Sequence, residues 1–200
     1  MLLREIHHRV KNNMQVISSL LRLQSDKVKD QQYAEMLKES QERIKSMALI
    51  HEKLYQSKDL AKIDFSGYIT SLINSLFRSY GIDTGRIETK LNVEDVSLGL
   101  DHAIPCGLII NELVSNSLKY AFPEDRKGEI SVTLRSVTEN EIELIVSDDG
   151  IGIPEDLDIR NTDSLGLELV AILAEDQLKG KIDLDRTGGT TFRILFKEQI

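Results

Sequence analysis

Residues 111–120 read NELVSNSLKY, and the way this stretch folds decides how the rest is read. Asn111, Glu112, Asn116, Lys119 and Tyr120 are polar or amphipathic, whereas Ile109, Ile110, Leu113 and Leu118 are apolar. That mixture predicts a helix over about 103–121 with one buried side, Pro105 being tolerated in its first turn. Spacings of four and three set Glu112, Asn116 and Lys119 along one face, the face expected to meet a ligand.

Outward from this helix the pattern is mixed. Upstream, 65–80 reads as a helix with Ile69, Leu72, Ile73, Leu76 and Phe77 inward, and 87–93 as an alternating strand. Downstream, 129–136 and 141–147 alternate as two strands joined by the polar turn VTEN. A helix over about 165–174 and strands over about 181–185 and 191–196 follow. The predicted fold class is α+β, a sheet with helices on one face.

Three glycine-bearing loops punctuate this domain. Asp148-Asp149-Gly150-Ile151-Gly152 follows a strand; its glycines allow close backbone approach to a ligand, and the Asp148 carboxylate is placed to accept a hydrogen bond from an adenine amino group. Ser164-Leu165-Gly166-Leu167 enters a helix whose free N–H groups suit phosphates. Gly188-Gly189-Thr190 precedes the last strand. Between Gly152 and Gly166, a stretch rich in Asp, Arg and Asn has the length of a mobile lid. Mg²⁺ prefers oxygen ligands and keeps waters, so an Asn116 amide oxygen plus phosphate oxygens would suit it, with Lys119 offsetting phosphate charge. Singly, each of these motifs also reads as an ordinary turn or surface.

Toward the N-terminus the period becomes purely helical. Ile6, Val10, Met14, Ile17 and Leu21 form one stripe of a helix over about 2–24. After the turn SDKVKDQ a second helix runs to about 56, with Tyr33, Leu37, Ser40, Ile44, Met47, His51 and Leu54 on a heptad seam. An antiparallel hairpin follows, and two copies pairing as a four-helix bundle would cover its apolar edge, so a homodimer is expected. The stretch Glu5 to Asn13, EIHHRVKNN, carries two histidines. His7 falls roughly 60° from the middle of the stripe and His8 roughly 160° away, among Arg4, Lys11, Asn12 and Gln15. A neutral, outward imidazole keeps a lone pair for attack, and flanking cations can hold phosphate oxygens.

The totals set bounds. Two hundred residues with a net charge of −8 argue against nucleic acid as the main partner. Residues 1–30 hold six Lys/Arg against three Asp/Glu, so the acidity lies downstream. Cys106 is the lone cysteine and cannot form an internal disulfide. No apolar run reaches the ~18 residues that span a bilayer, so a cytoplasmic chain without a membrane segment is expected. Its start almost at the histidine helix suggests a longer parent with an upstream sensing region.

Taken in order, the Asn-bearing helix, strand, DDGIG, lid, SLGL and GGTTF resemble the ATP-binding domain shared by histidine kinases, the Hsp90 chaperone, type II topoisomerases and MutL. With EIHHRVKNN upstream, the whole chain resembles a sensor histidine kinase core of the HisKA_2 type, related to the HWE kinases. The resemblance implies a phosphotransfer and dimerisation hairpin over 1–58 and an α/β-sandwich ATP-binding domain over 59–200, with a hinge near 57–62. It implies His8 as phosphoacceptor, Asn116 on Mg²⁺, Asp148 on adenine, and Gly150, Gly152, Gly166 and Gly189 in the nucleotide loops. Lys119, Tyr120, Ser164, Leu165, Leu167 and Thr190 join them as nucleotide contacts, and Glu112 as a catalytic residue and second metal ligand. The expected reaction is ATP-dependent autophosphorylation, then transfer to an aspartate of a response-regulator receiver domain. Commoner histidine kinases carry an acidic residue directly after the acceptor; Arg9 stands there, leaving Glu5 or the neutral imidazole itself to handle the proton. Asn12, one turn after His8, is the candidate water-orienting group for phosphatase activity. The rivals are an ATPase of the same fold and an anti-sigma-like serine kinase or scaffold, with the hairpin serving only dimerisation.

Overall fold

A computed structural model describes residues 2–56, 65–83, 85–94, 96, 98–155, 157–160, 162 and 164–197; for 2–8, 50, 53–56 and 100 it describes the backbone alone. The chain divides into two compact units, Met1–Asp64 and Phe65–Ile200. The expected 58/59 boundary and the expected hinge near 57–62 both fall within 57–64, outside the described residues.

The first unit is a hairpin of α1 (Leu2–Ser25) and α2 (Gln31–Gln56). Asp30 starts α2: its Oδ1 accepts the N–H groups of Gln32 at 2.9 Å and Tyr33 at 3.3 Å, satisfying donors that have no partner within the helix. Polar groups tie the two helices together. Gln41 Nε2 donates to the Ser18 carbonyl at 3.2 Å, Ser25 Oγ to the Ala34 carbonyl at 3.1 Å, and Lys11 pairs with Glu52 at 2.9 Å. At 100° per residue, these ties lie roughly 80° from the centre of the Ile6–Leu21 stripe and roughly 100° from the centre of the Tyr33–Leu54 seam. Both apolar stripes therefore flank the hairpin contact. Ile17 remains 47% exposed and Tyr33 61%.

The second unit begins with α3 (Phe65–Tyr80) and β1 (Ile87–Val93), followed by α4 (Leu100–Asn116), which runs on as a π-helical turn, Ser117–Ala121. Then come β2 (Gly128–Thr138), β3 (Glu141–Asp148), α5 (Leu165–Ile172) with a second π turn (Leu173–Gln177), β4 (Lys181–Asp185) and β5 (Thr190–Lys197). Strand order is β1-β2-β3-β5-β4; β1 runs parallel to β2 and the other neighbours are antiparallel.

Period-2 alternation gives the sheet one apolar face. Across it, Val132 pairs with Val146 and Val146 with Phe192, while Leu134 pairs with Leu144 and Leu144 with Ile194. All are buried beneath the helices. Each such side chain withdrawn from water contributes roughly 1.5–3 kcal/mol. The last row of this face is different: Ile130, Asp148 and Thr190 stand side by side, so the register puts a carboxylate on the apolar face at the end of β3. The opposite face is polar, with Glu143 accepting from Arg135 Nε at 2.6 Å and facing Arg193 at 3.5 Å. Between the helices, Gly107 lets the Tyr68 ring of α3 lie against α4, since a Cβ there would meet the Tyr68 side chain. Cys106 is free and buried.

Two expectations need correction. The central helix starts at Leu100, with the Ala103 N–H bonded to the Gly99 carbonyl at 2.9 Å, so Pro105 lies inside it and not in its first turn. Its last residues, and those after α5, are π-helical where a continuous α-helix was predicted.

Candidate nucleotide site

A cavity of about 410 Å³ opens between the end of α4, the last row of the sheet and the segment after β3. The helix side is Leu113, Asn116, Ser117, Tyr120 and Ala121; the sheet side is Val146, Asp148, Thr190 and Phe192. Ile151, Gly152, Ile153, Pro154 and Leu157 close it from the segment after β3, and Ser164 and Leu167 from the start of α5. Most of this wall is apolar, as suits a flat ring, and the polar groups are few.

Among the described residues Asp148 is the one acidic side chain in the lining, and it is 7% exposed. Burying a carboxylate is costly unless donors satisfy it. Here the Gly150 N–H donates to Oδ1 at 3.0 Å and the Ser117 hydroxyl to Oδ2 at 2.7 Å. The loop glycines make this arrangement possible. A Cβ on Gly150 would meet the Ala121 backbone, and Gly189, at φ +134°, packs against the carbonyl of Asp148. Gly152, at φ +80°, turns the chain along the cavity. Behind the pocket, the Ile151 N–H donates to the Ala121 carbonyl at 3.0 Å and Arg86 Nη2 to the Phe122 carbonyl at 2.5 Å, fixing the exit from the π turn.

The predicted residues divide accordingly. Asn116, Tyr120, Asp148, Gly152, Thr190 and the pair Ser164 and Leu167 line the cavity; Gly150 and Gly189 pack against its edges, and Gly166 is buried in α5 outside the lining. Leu165 is exposed and outside the lining. Glu112 lies one turn earlier in α4, 5% exposed, with its carboxylate accepting from Asn111 Nδ2 at 3.1 Å. It is not part of the wall, which leaves Asn116 as the amide oxygen that the helix presents to the cavity, beside the hydroxyls of Ser117 and Tyr120. Lys119 departs further from expectation. Its ammonium lies 5.7 Å from the Tyr80 ring centre and 6.0 Å from that of Tyr120, a cation–π placement beside the cavity and not in its lining.

Ser117 was missed, because a serine in a buried helix more often bonds its own backbone; its contact with Asp148, 31 residues away, has no local sign. The segment after Gly152 is anchored at several points. Ile159 is buried, Arg160 pairs with Glu175 at 2.7 Å, and Arg186 Nη2 donates to the Leu157 carbonyl at 2.7 Å. Positions 156, 161 and 163 of the expected lid are outside the described residues.

In the hairpin, His7, His8 and Glu5 lie in α1, their side chains outside the described residues. Arg9 and Asn12 are exposed, while Lys11, expected among the phosphate-holding cations, is engaged by Glu52.

Comparison with known proteins agrees with both units. Residues 5–80 match the HisKA_2 histidine kinase family, and residues 101–200 match the histidine kinase-, DNA gyrase B- and HSP90-like ATPase family. The chain belongs to the histidine kinase family. Among curated relatives of this kinase chain, the sensor histidine kinase PdtaS of Mycobacterium tuberculosis is 33% identical over 187 residues, covering 91% of this chain and 36% of the relative. The blue-light-activated histidine kinase 2 of Erythrobacter litoralis is 28% identical over 196 residues, covering 94% of this chain and 54% of the relative. The chain thus spans about a third to a half of these relatives. Among solved structures, the histidine kinase domain of a blue-light activated histidine kinase from Erythrobacter litoralis superposes with a TM-score of 0.71 at 25% identity, covering 97% of this chain and 89% of that one. No helix among the described residues of this kinase chain is long and apolar enough to cross a membrane.

Proposed function

We propose that the chain is the catalytic core of a sensor histidine kinase: it binds ATP in the cavity at the end of β3, transfers the γ-phosphoryl group to His8, and passes it to an aspartate of a response-regulator receiver domain. The observation that carries the reading is the buried, doubly hydrogen-bonded Asp148 at the floor of a mostly apolar cavity. An acceptor there suits the amino edge of adenine, while Ser164 and the first N–H groups of α5 border the side where phosphates leave.

Mg²⁺ fits the residues present. Asn116 offers a hard amide oxygen from the wall, the remaining ligands being phosphate oxygens and water. When bound, the ion neutralises phosphate charge. Lys119 joins the phosphates only by leaving its place over Tyr80 and Tyr120. In the reaction a neutral ring nitrogen of His8 attacks the γ-phosphorus in line, the bond to the β–γ bridging oxygen breaks, and ADP leaves. The imidazole proton passes to Glu5 or to water. Unchanged autophosphorylation in Glu5→Gln would remove Glu5 from that step.

Two hairpins form a homodimer by pairing their half-open apolar stripes into a four-helix bundle, with Ile17 and Tyr33 among the residues this would cover. The exposed face carrying Arg9 and Asn12 is offered to the receiver domain.

The test is incubation with γ-labelled ATP and Mg²⁺, comparing the chain with His8→Gln and His7→Gln. Acid-labile label absent only from His8→Gln is the expected result. Loss only in His7→Gln would move the acceptor by one residue, and ATP hydrolysis without protein label would favour an ATPase that uses the hairpin for dimerisation alone.

A further inference from the structure

We propose that Ser117 is the positioning residue that lets the cavity select a purine carrying a 6-amino group, by holding the Asp148 carboxylate in the orientation that receives it. The inference rests on the nucleotide reading above and adds to it the side chain through which the base is chosen.

Asp148 is held by two donors of different kinds. The Gly150 N–H at Oδ1 is fixed by the backbone, because the loop packs against Ala121 with no room for a Cβ. The Ser117 hydroxyl at Oδ2, 2.7 Å away, is the side-chain donor. It comes from the helix wall, so the carboxylate is held by the loop that follows it and by the helix at once. Each carboxylate oxygen accepts more than one hydrogen bond, so both keep a lone pair for a ligand.

The hydroxyl has one proton and two acceptors in reach, since the Leu113 carbonyl lies 3.1 Å from the same Oγ. Turned toward Asp148, it fixes the plane of the carboxylate, and each carboxylate oxygen still keeps a lone pair. A 6-amino group can therefore bond the carboxylate without leaving the serine proton unpaired. A purine without that group leaves the lone pair unmet, and a 6-oxo purine sets acceptor against acceptor.

The test measures binding of ATP and of purine riboside triphosphate, which lacks the 6-amino group, to the full chain and to Ser117→Ala, Ser117→Cys and Ser117→Thr. In the unsubstituted chain ATP binds more tightly. Loss of a hydrogen bond to a charged group predicts that Ser117→Ala weakens ATP about ten-fold while purine riboside triphosphate changes less than about two-fold. Ser117→Cys, near in size but a weak donor, narrows the ratio in the same way should Ser117→Ala fail to fold, and Ser117→Thr keeps it wide. Equal weakening of both nucleotides would make Ser117 a merely structural residue, and an unchanged ratio would remove it from base selection. If the unsubstituted chain bound neither nucleotide, the nucleotide reading itself would fall.

Discussion

Gly189 shows how narrowly the site is drawn at the scale of one residue. It sits at φ +134°, a conformation open to glycine, and its position for a Cβ lies 2.9 Å from Asp149 Cα, hard against the Asp148 carbonyl. Neither neighbour can yield, since both are backbone of the strand end that carries the carboxylate. Gly189→Ala is expected to cost about 1–3 kcal/mol, lowering the melting temperature by roughly 3–8 °C and weakening ATP binding with it. An unchanged melt would mean that the close approach is not maintained in solution. Asp148, Gly152 and Gly189 were picked out by the order of the glycine motifs along the chain and not by any one of them, and the structure brings the three together at one cavity. The contacts of Ser117 and Lys119 were not legible in that order. Spacing says which face of a helix a residue occupies, but not that a hydroxyl finds a carboxylate 31 positions away, or that an ammonium settles over the Tyr80 ring.

At the scale of elements, the segment after Gly152 is held by a few identifiable contacts. It is tied down by the Arg160–Glu175 pair, by Arg186 on the Leu157 carbonyl and by the buried Ile159. The Arg160–Glu175 pair is exposed, and exposed ion pairs contribute about 0–1 kcal/mol. Combining Arg160→Ala with Arg186→Ala should leave the melting temperature within a few degrees yet raise thermolysin cleavage near Leu157–Ile159 several-fold, with ATP restoring protection. Equal cleavage rates would show that the arginines do not restrain this segment. Strand and helix periods were well marked: α3, β1 and β4 begin and end where alternation or helical spacing does. The π turns after α4 and α5 were not marked, because a widened turn is decided by what packs beneath it. Nor was the start of α4, where Gly99 supplies a backbone carbonyl and no capping side chain announces it.

For the whole molecule, the consequence lies in the hairpin's half-covered stripes. Ile17, Leu20, Tyr33 and Met36 are exposed in a single chain, and a two-helix hairpin cannot bury them by itself. Light scattering should find a dimer, and Ile17→Glu should shift it to monomer by placing a carboxylate on an apolar seam, with the second unit still binding ATP. A monomer before substitution, or a dimer that survives it, would assign the exposed stripe to another partner. The change of period marked a helical part followed by a mixed one in the sequence, and the structure has a helical hairpin and a sheet unit.

The turn between β2 and β3 is only Glu139 and Asn140 long, yet everything the cavity needs is shared across it. Asn116 and Ser117 precede it; Asp148, Ser164 and Thr190 follow it. A polypeptide divided at this turn would yield one fragment holding the helical wall of Asn116 and Ser117 and another holding the carboxylate, neither lining the whole cavity. Nucleotide binding would then report reassembly of the two halves, making the β2–β3 turn a natural place to build a split reporter from this domain.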